Sequence, residues 1–134
     1  MPQDISAFER AITRLQEGLT RYQREVGDTQ IRDGLIQRFE FTYELAHKTL
    51  KRYLEQTAAN PAEIDTLAFQ DLIRSANERG LLRGDWPAWR RFREMRARTS
   101  HTYDEQTALE VVAGIPEFVD EVVFLSDALR ARIS

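Results

Sequence analysis

His101 is one of two histidines in the chain, and it stands in the stretch Arg96-Ala97-Arg98-Thr99-Ser100-His101-Thr102-Tyr103. Nowhere else does the sequence set an imidazole, guanidinium groups and a phenol within a few residues of one another. A neutral imidazole can take a proton from a ribose 2′-hydroxyl, or give one to a leaving 5′-oxygen, near neutral pH. Arg96 or Arg98 can grip a phosphate and stabilise charge building on its oxygens. Together these roles outline metal-independent RNA cleavage through a cyclic phosphate. Positions five apart on an ideal helix diverge by about 140°, so Arg96 and His101 converge only if the helix ends or distorts between them. Arg98 and His101, three apart, share a face without distortion. His101 and Tyr103 share a side only if the chain is extended there. The spacing therefore favours a helix end near 98–100, with His101 and Tyr103 on the exit. In the competing reading, His101 and the arginines only neutralise that helix end, where cations are favoured.

Other chemistries have no residues to carry them. The chain lacks a glycine-rich phosphate loop, an HExxH pair and a serine-hydrolase elbow, and with no cysteine it has no thiolate metal site or disulfide. It also lacks the Gly-Ser and paired aspartates of a minimal nucleotidyltransferase. No cofactor and no metal are expected. His47, at the edge of an apolar helix face, reads as a half-buried structural histidine bonded to a neighbour. The net charge of −3 argues against a non-specific nucleic-acid binder. Yet eight arginines fall between positions 74 and 103, against Glu78, Asp85 and Glu94, which makes a basic patch inside an acidic protein. The absence of cysteine fits a reducing cytosol. Met1 to Asp4 do not read as a secretory signal, and no apolar run is long enough to span a membrane. A cytoplasmic location is expected.

The elements that must position this stretch read as helices throughout. Ile5, Phe8, Ile12, Leu15, Leu19, Tyr22 and Val26 form one apolar stripe over 5–26, with Ser6 and Glu9 as a capping box or Asp4 as the cap. A second helix covers 29–56, with Leu35, Ile36, Phe39, Tyr43, Ala46, Leu50, Tyr53 and Leu54 on one face and Phe41 and Leu45 on the other. Glu40, Glu44, Lys48 and Arg52 follow at fours, as in an i,i+4 charge ladder. Pro61 marks a break. A shorter helix is expected over 66–78, with Leu67, Phe69, Leu72, Ile73 and Ala76 inward and Gly80 as its C-terminal cap. After a turn at 81–84, Asp85 caps a helix with Pro87 in its first turn and Trp89, Phe92, Met95 and Thr99 inward. The last helix starts at Asp104 or Glu105 and reaches about 132, with Gly114 and Pro116 expected to kink or split it. No segment alternates with period two. One domain over 1–134, an all-α, up-and-down four-helix bundle with an additional short helix, follows.

Two stretches carry a family resemblance. Gly34-Leu-Ile-Gln-Arg-Phe-Glu-Phe-Thr-Tyr-Glu-Leu-Ala-His-Lys-Thr-Leu-Lys-Arg-Tyr-Leu54 resembles the second helix of the nucleotidyltransferase substrate-binding proteins, the HepT-like branch of the HEPN superfamily. Arg96 to Tyr103 is similar to that family's R-x-x-x-x-H-x-Y motif. His47 departs from the family, which often carries tryptophan there. The resemblance implies a HEPN-like homodimer with the two motifs near its twofold axis, and a separate minimal nucleotidyltransferase as partner. In toxin–antitoxin members the HEPN protein is a ribonuclease toxin acting on RNA. Its motif arginine and histidine, here Arg96 and His101, are catalytic. The motif tyrosine, here Tyr103, accepts AMP from the partner, which silences the toxin. Phe41 and Leu45 are candidates for a subunit contact. The reading from a different class is a non-catalytic substrate- or nucleotide-binding subunit of a two-component nucleotidyltransferase.

Overall fold

The computed structural model describes residues 3–133, which form helices joined by short turns, with no strand among them. Met1 and Pro2, on which the reading of the leader partly rests, lie outside the described residues, as does Ser134. Helix α1 (Ser6–Arg24) presents Phe8, Ile12, Leu15 and Tyr22 to the core. Its N-cap is Ile5, not Ser6 or Asp4, although the Asp4 carboxylate accepts from the Ser6 N–H at 2.8 Å and so satisfies the first free donor of the helix. Val26, expected on the apolar stripe, falls beyond the helix end and is exposed. Asp28 accepts from the N–H groups of Gln30 and Ile31 and so starts α2 (Thr29–Thr57), which returns against α1.

The break at Pro61 holds a one-turn helix, α3 (Pro61–Asp65), that the sequence reading omitted. Proline at its first position and Asn60 as its cap explain it, since a missing N–H costs nothing there. Helix α4 (Phe69–Glu78) consequently begins three residues later than expected, and Leu67 is exposed rather than inward. Gly80 closes α4 at φ +76°, a backbone angle that disfavours a side chain. The turn at 81–84 is part of the core: Leu81 and Leu82 are buried, and Gly84 donates its N–H to Glu121. That buried carboxylate also accepts from the Trp89 indole at 2.7 Å. It thereby seats the first turns of α5 (Trp86–Arg98), which Asp85 caps.

Helix α6 (Glu105–Ile133) runs through Gly114 and Pro116 as one helix, so the chain does not split there. Pro116 faces solvent while Val112, Ile115, Phe118 and Val119 are buried around it, so packing outweighs the lost helical hydrogen bond. Gly114 has a packing reason: a Cβ there would meet Met95 Sδ at 2.5 Å, so α5 lies close against α6. On α6, Leu109 is exposed, and Ala108, Val111 and Phe118 are buried.

Phe118 is the centre of the core. Its ring lies 4.8 Å from Phe39 and 6.2 Å from Tyr43 on α2, and 6.3 Å from Trp89 and 5.2 Å from Phe92 on α5. These contacts join the three helices that carry the Arg96–Tyr103 stretch and its supports. Phe118→Ala is expected to destabilise the fold by about 3–5 kcal/mol, seen as a fall in the urea unfolding midpoint.

Candidate functional site

Helix α5 ends at Arg98, and residues 99–101 continue as a single 3₁₀ turn, so the α-helix stops before His101 as the spacing required. Thr99 makes the turn. Its hydroxyl donates to the Arg96 carbonyl at 2.8 Å and accepts from Arg96 Nη1 at 3.3 Å, while the Thr102 hydroxyl donates to the Thr99 carbonyl. The Asp104 N–H closes on the His101 carbonyl at 3.1 Å. The Asp104 carboxylate then accepts from the N–H groups of Gln106 and Thr107, which starts α6.

His101 and Tyr103 project from this exit. Their rings meet edge to face, 6.1 Å between centroids, and Tyr103 is 86% exposed. The chain is not extended between them, as the sequence reading required; Thr102 sits at φ −78°, ψ 0°. Both side chains point outward from the turn, and this lets the rings meet in a coiled backbone. The two arginines part. Arg96 turns to α2, pairing with Glu44 at 2.5 Å and approaching Glu40 at 3.7 Å. Arg98 turns to α6 and pairs with Glu110 at 2.5 Å. Among the described residues neither guanidinium is hydrogen-bonded to His101. The hydrogen bond that Arg96 donates to Glu44 holds its guanidinium above its ordinary pKa, against the effect of burial. The pair thus keeps its charge and its direction.

Glu40 and Glu44 correct the charge-ladder reading, because both carboxylates reach across to α5 rather than along α2 to Lys48. The partners are 52 residues apart, a pairing that local spacing cannot reveal. Arg32 is a second residue that sequence reasoning missed. It is only 6% exposed, yet it holds Glu105 through a two-pronged bridge of 2.6 and 3.0 Å. A buried arginine near the start of a helix has no distinctive sequence signal. His47 is half-buried as expected, but it packs edge-on to Phe69 at 4.8 Å instead of making a hydrogen bond. Its pKa is lowered, first by burial and then by Lys51 and Arg93. Deep burial pushes the Tyr43 phenol up to about 12, so it is a neutral core group here.

The family described as nucleotidyltransferase substrate binding protein like matches residues 3–131, and the chain belongs to it. A relative from Haemophilus influenzae (strain ATCC 51907 / DSM 11121 / KW20 / Rd), named probable ribonuclease HepT, is 47% identical over 107 residues, 80% of this chain and 72% of that protein. The solved structure of HI0074 from Haemophilus influenzae, described as the fold of a substrate binding domain of a nucleotidyltransferase, superposes with a TM-score of 0.88. It is 35% identical, and the match covers 95% of this chain and 99% of that one. A protein of solved structure from Thermus thermophilus gives a TM-score of 0.72 at 29% identity, covering 92% of this chain and 98% of that one. No helix among the described residues is long and apolar enough to cross a membrane.

The Arg32–Glu105 bridge makes a pH prediction. The Arg32 hydrogen bond lowers the Glu105 pKa in the folded state. The bridge therefore stabilises the fold above the unfolded carboxylate value of about 4.3, and this is lost as pH falls through the lower folded value. Between pH 6 and pH 3 the urea midpoint should fall further for the wild type than for Glu105→Gln.

Proposed function

We propose that this chain is a HepT-like ribonuclease toxin with Arg96 and His101 as its catalytic residues, silenced by AMP transfer to Tyr103 from a separate minimal nucleotidyltransferase. The observation that carries this reading is the exit of α5. It presents an exposed imidazole and phenol side by side, while the motif arginine, Arg96, is held on Glu44 of α2 a turn and a half earlier in the chain. His101 would exchange protons with the 2′-hydroxyl and the 5′-leaving oxygen of RNA. Arg96 would hold the scissile phosphate, leaving Glu44 as it does so.

A single site histidine supplies one acid/base group, so a homodimer with two motifs near its twofold axis completes the chemistry. Phe41 on α2 suits a subunit contact. It is 59% exposed and lies on a groove of about 510 Å³ between α1 and α2, whose walls include Arg14, Arg38 and Thr42. Leu45, one turn on, is half-buried. AMP on Tyr103 would set bulk and a negative phosphate a ring's distance from His101 and exclude the RNA phosphate. We place this activity in the cytoplasm, in one HEPN-like domain over 1–134.

The second reading is the non-catalytic substrate- or nucleotide-binding subunit. One observation favours it: the Arg96 charge is already matched by Glu44 and Glu40. Expression without the nucleotidyltransferase separates the two, because only a toxin arrests growth. The purified chain should cleave RNA in the presence of a metal chelator, and His101→Ala should abolish that cleavage. Undiminished cleavage by His101→Ala would sink the assignment. Co-expression with the nucleotidyltransferase should add one AMP mass per chain, absent from Tyr103→Phe; an unchanged wild-type mass would remove Tyr103 as the acceptor.

A further inference from the structure

Helix α5 carries five arginines, and four of them face a carboxylate. Arg90 pairs with Glu94, Arg91 with Glu117, Arg96 with Glu44, and Arg98 with Glu110. Arg93 is the exception among the described residues of this helix. Its guanidinium lies over the Phe69 ring, 5.7 Å from the centroid, and meets no carboxylate. A contact with a ring face holds a guanidinium in place without cancelling its charge or using its in-plane N–H donors.

The position of Arg93 gives that free charge a direction. It lies three residues before Arg96, so the two share one face of α5, about 4.5 Å apart along the axis. Arg96 reaches Glu44 of α2, and Arg93 lies over the Phe69 ring, which packs 6.5 Å from Tyr43 and 4.8 Å from His47 of α2, so this face of α5 lies along the α2 seam. Along the seam α2 changes character. Opposite Arg96 it offers Glu40 and Glu44; one turn further it offers His47, packed on the same Phe69 ring as Arg93. Beyond that come Lys48, which is exposed, and Lys51, paired with Asp65 at 2.9 Å. Trp86 lies edge to face on Phe69, 5.9 Å away, and is half-buried. Arg93 and the half-buried rings of Phe69, His47 and Trp86 therefore extend the seam away from its Arg96 end. Single-stranded nucleic acid is bound by this combination, charge along the backbone and rings beneath the bases.

We propose that Arg93 is a second phosphate-binding residue, which leads single-stranded RNA along the α2–α5 seam to Arg96 and His101. The proposal rests on the ribonuclease reading only for what happens at the end of the track. Arg93 touches a neighbouring phosphate and not the reacting one, so it governs RNA binding and not the rate of the chemical step.

The test measures RNA binding and turnover separately. A fluorescently labelled, mixed-sequence single-stranded RNA dodecamer is titrated against the His101→Ala protein with and without Arg93→Gln. Arg93→Gln should weaken binding roughly five- to ten-fold and lower the slope of log affinity against log salt by about 0.7. Arg93→Lys should keep the slope. In the protein with His101 intact, Arg93→Gln should raise KM for the dodecamer and leave kcat unchanged. For a dinucleotide, which offers only the reacting phosphate, kcat/KM should match the wild type. Equal affinity and salt slope in Arg93→Gln and its parent would overturn the track and leave the ribonuclease reading standing. Wild-type protein that does not cleave, but binds RNA through Arg93, would keep the track and remove the ribonuclease reading. Wild-type protein that does not bind RNA removes both. Loss of the complex with the nucleotidyltransferase in Arg93→Gln, with RNA binding unchanged, would make Arg93 a protein contact and overturn the proposal.

Discussion

The packing of Phe118 against Phe39, Tyr43, Trp89 and Phe92 is the constraint on which the rest of the structure depends. Edge-to-face contacts fix ring orientation as well as distance, so they set how α2, α5 and α6 lie around one another. Each polar feature of the exit assumes that arrangement. Arg96 reaches Glu44 only because α5 runs beside α2, and Arg98 reaches Glu110 only because the same helix lies against α6. Glu121 and Gly114 refine the placement of α5. The Glu121 carboxylate anchors the start of the helix through Trp89 and Gly84, and the bare Gly114 backbone admits Met95 further along.

Polar order then builds outward from this core. Arg32 is buried and its Nε finds no partner, a cost that its two bonds to Glu105 offset in part. A fully exposed bridge would hold the start of α6 more weakly, since solvent screens it. Thr99 connects backbone to side chain, because its one hydroxyl bonds both the carbonyl and the guanidinium of Arg96. The turn that exposes His101 and the orientation of the arginine are therefore set by the same group.

Much of this was legible in the sequence, for identifiable reasons. The apolar period of α1 and α2, the cap at Asp85, Gly80, and the helix end before His101 are local properties, written in neighbouring residues. The exceptions are all long-range or competitive. Pro116 breaks helices locally, but buried Ile115, Phe118 and Val119 around it keep α6 intact. Glu44 looked like one rung of a ladder because its partner is 52 residues away. The site followed the same division. Arg96, His101 and Tyr103 were visible as a motif, while Glu40, Glu44, Thr99 and Arg32, which hold them, became visible only in three dimensions.

Two of the holds on the exit segment end on one helix, while Arg98 is held by Glu110 of α6. Arg32 and Glu44 both belong to α2, about 18 Å apart along its axis. Mechanically, the segment from Arg96 to Glu105 is a short beam resting on two posts of a single stiff rod. A beam supported in this way cannot swing as a flap hinged at one end can. His101 and Tyr103 sit on the span between the posts, whose Thr99 is itself buried. Whatever is joined to that span, or pressed against it, stays in register with both posts and is met in place.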